Sequence, residues 1–307
     1  MEKNYGLLLN EPRPKDFRFG AFTVLPKDVL VDDGNWSAYL PVYEAQLLPK
    51  FDTMACVTFS ALNCLETLIK RKYNREENFS DRFTATMSGT TREGNFVYKV
   101  ADSIRNDGVV SEMDWPTLSG FTFDDYYSLI TPEIKETGQQ SKEKYNFAYE
   151  YVEKKDFIEL LRYSPLQVGI KAYGVTVDGV YQKIDGSANH MVTLYQAKEN
   201  EHWLIYDHYD KAFKPLAWDY LFPFAVRWDV QMVEKTPMTI PQNALIQLVE
   251  HPGGFGMFLN GKIIVDDFDK LQLSWVMRNT DFGNKICLTK EQWNKYPKCN
   301  LKGEPVI

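Results

Sequence analysis

Histidine and cysteine are scarce in this chain, four of each in 307 residues, and no two cysteines stand two or three residues apart as structural zinc ligands do. A metal site is therefore not expected, and no cofactor is. No apolar run approaches the roughly 20 residues a membrane-spanning helix needs, so a membrane partner is not expected either. Basic residues number 35 against 42 acidic ones, a formal net charge of −7, which argues against a nucleic-acid partner. The opening Met1-Glu2-Lys3-Asn4 has no apolar secretory stretch, so a cytoplasmic location is the default expectation. Internal repeats and low-complexity linkers are also missing, which argues against a flexible tether.

What is present is ample material for a core, with 44% hydrophobic and 14% aromatic residues in a length that suits one large domain or two smaller ones. The most informative segment begins at Cys56. Phe59, Leu62, Leu65 and Ile69 recur at helical steps and should face a core, with Glu66, Lys70 and Arg71 toward water. Cys56 then heads a helix, where unpaired N–H groups and the positive end of the dipole favour a thiolate. Lys70-Arg71-Lys72 reads as the solvated far end of that helix. A polar stretch, Ser187-Ala188-Asn189, runs into an alternating strand that starts at His190. A short hairpin later Asp207 ends the strand Trp203-Leu204-Ile205-Tyr206, so adjacent antiparallel strands can set a carboxylate beside the imidazole. Cysteine, histidine and carboxylate in that order can form a triad in which the acid fixes the imidazole tautomer and the imidazole activates the thiol.

The other cysteines and histidines are read more plainly. Cys64 sits among apolar residues and reads as a buried structural thiol. Cys287 and Cys299 could pair in an oxidising environment. His202 and His251 read as ordinary surface residues, and His208, next to Asp207, should point away from His190 because neighbouring strand residues face opposite ways.

Cys56-Val57-Thr58-Phe59-Ser60-Ala61 resembles the C-W-A-F-S-A helix start of the papain-like cysteine peptidases, and Asn189-His190-Met191-Val192 resembles their x-H-A-V strand. Trp203 to Tyr209 is similar to the strand that ends in K-N-S-W. Gly94-Asn95-Phe96, the helix after it and Asp114-Trp115-Pro116 are similar to the family's G-G-Y, helix and Y-P-Y stretch, and Ser164 to Ile170 to its P-V-S-V strand. Five blocks in order over roughly residues 46 to 233 carry the resemblance.

The resemblance implies an α+β fold with a helical half and an antiparallel sheet half, and cleavage of peptide or protein substrates through a thioester acyl-enzyme. Cys56 would be the nucleophile, His190 the acid and base, and Asp207 the orienting residue. Asp207 stands where the family has asparagine, which implies that an Asp207→Asn variant would keep activity. Tyr209 stands where the family has a shielding tryptophan, and the family's disulfide near the nucleophile is absent. The oxyanion glutamine would fall at Lys50, six residues before Cys56, so Gln46 is the nearest candidate for that role. Gly94, Asn95, Phe96, Val97, Gly169 and Met191 would line the substrate site, with an apolar pocket that prefers Leu, Val, Phe or Tyr two residues before the cut. Cys56 is expected in a surface cleft, alkylated faster than the other thiols. Members of this kind also resemble phage and bacterial proteins without a long propeptide, which would allow a virion-associated location. A noncatalytic protein keeping the scaffold and a peptidoglycan amidase are the alternatives.

Three regions are expected. Residues 1–45 form a wrapping extension with a strand-like Ala21 to Leu25. Residues 46–235 form the peptidase domain, with a helical insertion from Thr122 to Lys144, a helix from Lys154 to Tyr163 and strands after Leu166. Residues 236–307 form a small β-rich module, with strands around Pro252-Gly253-Gly254 and a hairpin turn at Asn260-Gly261, and could dock a protein partner.

Overall fold

A computed structural model of the chain describes residues 3–10, 13, 16, 18 and 29–233, and the backbone of five short strands beyond them. Among these residues the helical half contains β1 (Leu7–Leu8), α1 (Cys56–Tyr73), α2 (Asp81–Met87), β2 (Asn95–Phe96), α3 (Val97–Asp107), α4 (Phe123–Tyr126) and α5 (Pro132–Ser141). The sheet half contains β3 (Tyr145–Val152), α6 (Phe157–Leu160), β4 (Leu166–Ile170), β5 (Thr176–Val177), β6 (Val180–Tyr181), β7 (His190–Lys198), β8 (His202–Tyr206), β9 (Phe213–Ala217) and β10 (Ala225–Met232). The strands from β3 to β10 form an eight-stranded sheet in the order β3-β10-β4-β7-β8-β9-β6-β5, antiparallel except where β6 meets β9. The architecture is α+β, a helical half against an antiparallel sheet half.

The centre of the molecule is α1. It starts at Cys56 and stops where Asn74 turns left-handed at φ 51° and returns its N–H to the Lys70 carbonyl. Its first turn is pinned to the sheet by Gln167 on β4, whose Nε2 donates to the Val57 carbonyl at 2.8 Å and to Ser60 Oγ at 3.0 Å. Strands β4, β7 and β10 pack on α1 from one direction, α2 and α3 from another. Every residue from Cys56 to Ile69 is therefore buried, and the amphipathic split read from the sequence does not hold for Glu66, which is 6% exposed. A helix sandwiched between layers has no water face to give it.

Glu66 accepts the Phe79 N–H at 2.6 Å, and Asp81 at the start of α2 is equally buried. Burial, with the nearby charges of Glu44 and Glu112, holds both carboxyls well above the usual carboxylate range. A raised folded-state value means that these groups stabilise the fold fully below their unfolded values and lose that contribution as pH climbs through the folded ones. The melting temperature is therefore expected to fall by several degrees from about pH 5 to pH 8. Thermal melts of a Glu66→Gln, Asp81→Asn variant check this, because its slope over that range should flatten.

The insertion between Thr122 and Lys144 resolves into α4 and α5, each opened by a threonine, Thr122 and Thr131, whose side chain accepts an N–H of the first turn. The expected helix at Lys154 to Tyr163 is a 3-10 turn, Lys154–Asp156, followed by the single turn of α6.

The chain divides into two compact units after Val233. In the second, β11 (Gln247–His251), β12 (Gly254–Leu259), β13 (Lys262–Ile264), β14 (Ile286–Cys287) and β15 (Lys298–Cys299) form a sheet in the order β14-β11-β12-β13-β15. Cys287 and Cys299 thus lie on opposite edge strands. Leu259 pairs with Lys262 across β12 and β13. Asn260-Gly261, Pro252-Gly253 and the Ala21–Leu25 segment lie outside the described residues, as do the side chains of Cys287, Cys299 and His251.

Candidate active site

Three elements converge on one point. Cys56 heads α1, His190 opens β7, and Asp207 follows the last residue of β8, its N–H bonded to the Ala212 carbonyl across the turn to β9 at 2.8 Å. His190 Nε2 donates to Asp207 Oδ1 at 2.7 Å. With that nitrogen engaged, Nδ1 is left buried and without a partner among the described residues. The backbone N–H of Met191, the residue after His190, lies against the Cys56 sulfur. The sulfur and the imidazole therefore lie where the start of α1 meets the start of β7.

The electrostatics run in two directions. Burial pushes the Cys56 thiol up, more than the N–H groups of Met191 and Val57 pull it down, and the charges of Asp52 and Asp207 add to the rise. Cys56, His190 and Asp207 are all wholly buried, so the expected cleft-exposed, fast-alkylating thiol is not what this state presents. Asp207 behaves oppositely. Burial would raise its carboxyl, but His190 and then Lys214 hold it below the ordinary carboxylate range.

The chain's own N-terminal segment covers the His190 ring and shares an apolar cluster with Cys56. Leu7 and Leu8 pair in parallel with Asn95 and Phe96, and the Asn95 N–H donates to the Gly6 carbonyl at 2.9 Å. The Tyr5 N–H donates to the Asn189 carbonyl at 3.2 Å, and Asn189 Nδ2 donates to the Lys3 carbonyl at 2.9 Å. The Tyr5 ring lies 5.1 Å from the His190 ring and 5.0 Å from that of Tyr209. Residues 3–8 thus bridge the helical half, through Asn95, to the sheet half, through Asn189 and His190. Gly6 is there for steric reasons: its φ is +107°, and a Cβ on it would sit 2.2 Å from the Met54 carbonyl oxygen. Gly94 is matched to it, since a Cβ there would fall 2.1 Å from the Gly6 oxygen.

Gln46 is wholly buried beside this segment. Its Nε2 donates to the Tyr5 carbonyl at 2.8 Å and to Asp52 Oδ1 at 2.9 Å, so both amide protons are engaged in this state. The amide thus addresses a peptide carbonyl of the N-terminal segment.

No protein-family model and no curated protein matches the sequence. Solved structures do. Xylellain, a cysteine protease from Xylella fastidiosa, aligns with a TM-score of 0.52 at 15% identity over 75% of this chain and 96% of its own. The fold is papain-like. The bromelain protease from Ananas comosus aligns with a TM-score of 0.47 at 17% identity over 63% of this chain and 96% of its own. Digestive procathepsin L 3 from Tenebrio molitor larval midgut aligns at 0.47 and 13% identity, over 73% and 75% of the two chains.

Within this papain-like frame the residues expected to bind substrate fall into two groups. Gly169 and Met191 are cross-strand neighbours on β4 and β7, and Val97 and Met191 are buried in one apolar cluster with Leu7 of the covering segment. The room expected over Gly169 is taken by the Phe224 ring, which a Cβ at Gly169 would meet at 2.9 Å. Gly94, Asn95 and Phe96 present backbone to the covering segment. The Asn95 side chain is turned inward, its Nδ2 donating to Ser88 and Thr90.

His208, expected to point away from His190, does so. Asn63 Nδ2 donates to its Nε2, its Nδ1 donates to the Glu44 carbonyl at 3.0 Å, and burial pulls it down to about 4, so it is a neutral structural imidazole. Cys64 is buried beside Thr193.

Sequence reading missed Tyr173, whose hydroxyl donates to Asp207 Oδ2, and Lys214, whose ammonium does the same. The alternation of β9 held a signal for the second: Lys214 is in phase with the buried Leu216.

Proposed function

We propose that the chain is a cysteine peptidase, and that the described state is its closed form. The observation that carries this reading is the 2.7 Å bond from His190 Nε2 to Asp207, which leaves Nδ1 unpaired on a ring at the start of β7, where β7 meets the start of α1. In the open form Nδ1 would take the Cys56 proton as the sulfur attacks the scissile carbonyl carbon. The oxyanion would accept from the Cys56 N–H and from Gln46 Nε2 once Tyr5 has left it. Collapse would expel the amine with the proton from His190, leaving a thioester, and His190 would then draw a proton from water for the second attack.

Two features support a closed form: the triad side chains have no exposure, and the main chain of residues 3–8 holds the hydrogen bonds a substrate backbone would need. The test is hydrolysis of a positional peptide library by the full chain carrying Gly6→Val. Cleavage after sites with Leu, Val, Phe or Tyr two residues upstream is expected, since Val97, Met191 and Phe224 offer no partner to a charge. A leading preference for Arg, Asp or Glu there would count against this pocket. The complete burial of Cys56 also suits a noncatalytic protein that keeps the scaffold, and absence of any cleavage by the opened chain would favour that reading.

A further inference from the structure

Asp207 is surrounded by more donors than orienting an imidazole requires. Its Oδ1 accepts from His190 Nε2 and from the His208 N–H, both at 2.7 Å, and its Oδ2 accepts from the Tyr173 hydroxyl and from Lys214 Nζ. Lys214 is itself 2% exposed. Its three ammonium protons go to Asp207 Oδ2, to the Tyr209 carbonyl and, at 3.0 Å, to the Lys211 carbonyl. Every donor of this lysine is thus engaged, and its carboxylate partner is as deeply buried as it is. The cation on Oδ2 offsets the carboxylate, so His190 on Oδ1 faces a paired charge and not a bare one.

That pairing matters for the chemistry proposed above. A buried carboxylate without a second partner would be an unpaired anion in a dry site once its hydrogen-bond partner gives up a proton. A carboxylate paired with a lysine on its other oxygen keeps its geometry as an acceptor while part of its charge toward the imidazole is offset.

We propose that Lys214 is a positioning residue of this site, offsetting the charge of Asp207 so that the carboxylate is held as an acceptor for His190 without standing as an unpaired buried anion. The proposal rests on the peptidase reading. It overturns the expectation that asparagine alone can replace Asp207: with Lys214 in place, Asp207→Asn strands a buried cation, just as Lys214→Met strands a buried anion. The two changes together restore the balance.

The experiment is the cycle of Asp207→Asn, Lys214→Met and the double variant in the full chain carrying Gly6→Val, read by kcat, KM and thermal melts. Each single change is expected to lower kcat by about 100-fold with little effect on KM, because neither group touches substrate. The double variant is expected to regain about 10-fold over the worse single and to melt above both. A double variant no faster and no more stable than Lys214→Met would reduce the lysine to a prop for the 209–211 turn and overturn the proposal. An Asp207→Asn variant as active as the parent would overturn it too. A parent that cleaves no peptide would refute the peptidase reading, and the melts would still decide the charge pairing: a double variant above both singles upholds it, one no higher overturns it.

Discussion

Cys56→Ala in the opened chain abolishes peptide hydrolysis, with kcat/KM falling by about 10⁴-fold or more, while the melting temperature moves little. On the proposed peptidase reading the sulfur is the atom that would form the acyl bond. The helix start survives, because Ser60 Oγ still donates to the residue 56 carbonyl at 2.7 Å and Gln167 still holds Val57 and Ser60. Cys64→Ala gives the reverse result. It removes a wholly buried thiol from the core beside Thr193, so it costs about 1 kcal/mol of stability and leaves the rate alone. Steady-state assays and melts of the two variants side by side check both halves, and retained activity in Cys56→Ala would remove it from the role of nucleophile.

Gly6→Val raises the alkylation rate of Cys56 by about 100-fold, the scale of releasing a locally closed segment worth a few kcal/mol. A β-branched residue cannot sit at φ +107°, and its Cβ would occupy a point 2.2 Å from the Met54 oxygen. Residues 3–8 must then leave, and their bonds to Asn95, Asn189 and Gln46 go with them. Iodoacetamide labelling followed by peptide mass spectrometry measures the change, with the buried Cys64 as the internal reference. Equal Cys56 rates in the two proteins would mean that something other than this segment covers the sulfur.

The fold was legible because its anchors are local patterns. A helix headed by Cys56, a strand headed by His190 and a hairpin ending at Asp207 follow from periodicity and turn chemistry. The His190–Asp207 contact then follows from antiparallel neighbourhood. What could not be read depends on packing at a distance. Glu66 has the helical phase of a water-facing residue and is buried only because α2 and α3 close over α1. β3 carries alternating aromatics, Tyr145, Phe147 and Tyr149, that lie next to a helical insertion and pass unnoticed beside it. Lys214 does not stand out in the sequence because a lysine in a strand usually reaches water, and only the convergence of Asp207 with the Tyr209 and Lys211 carbonyls makes its burial tolerable. The covering segment was the least legible of all: Tyr5-Gly6-Leu7 has no periodicity, and nothing in those three residues names Asn95, 88 positions away, as the partner of Leu7.

The most direct test of the account is the reaction of the Gly6→Val chain with a peptidyl epoxide, read as intact mass and as the modified peptide. One adduct is expected, on Cys56, with a rate that collapses in His190→Ala because the imidazole that should take the thiol proton is gone. An adduct formed equally well without His190, or shared with Cys64, would contradict it.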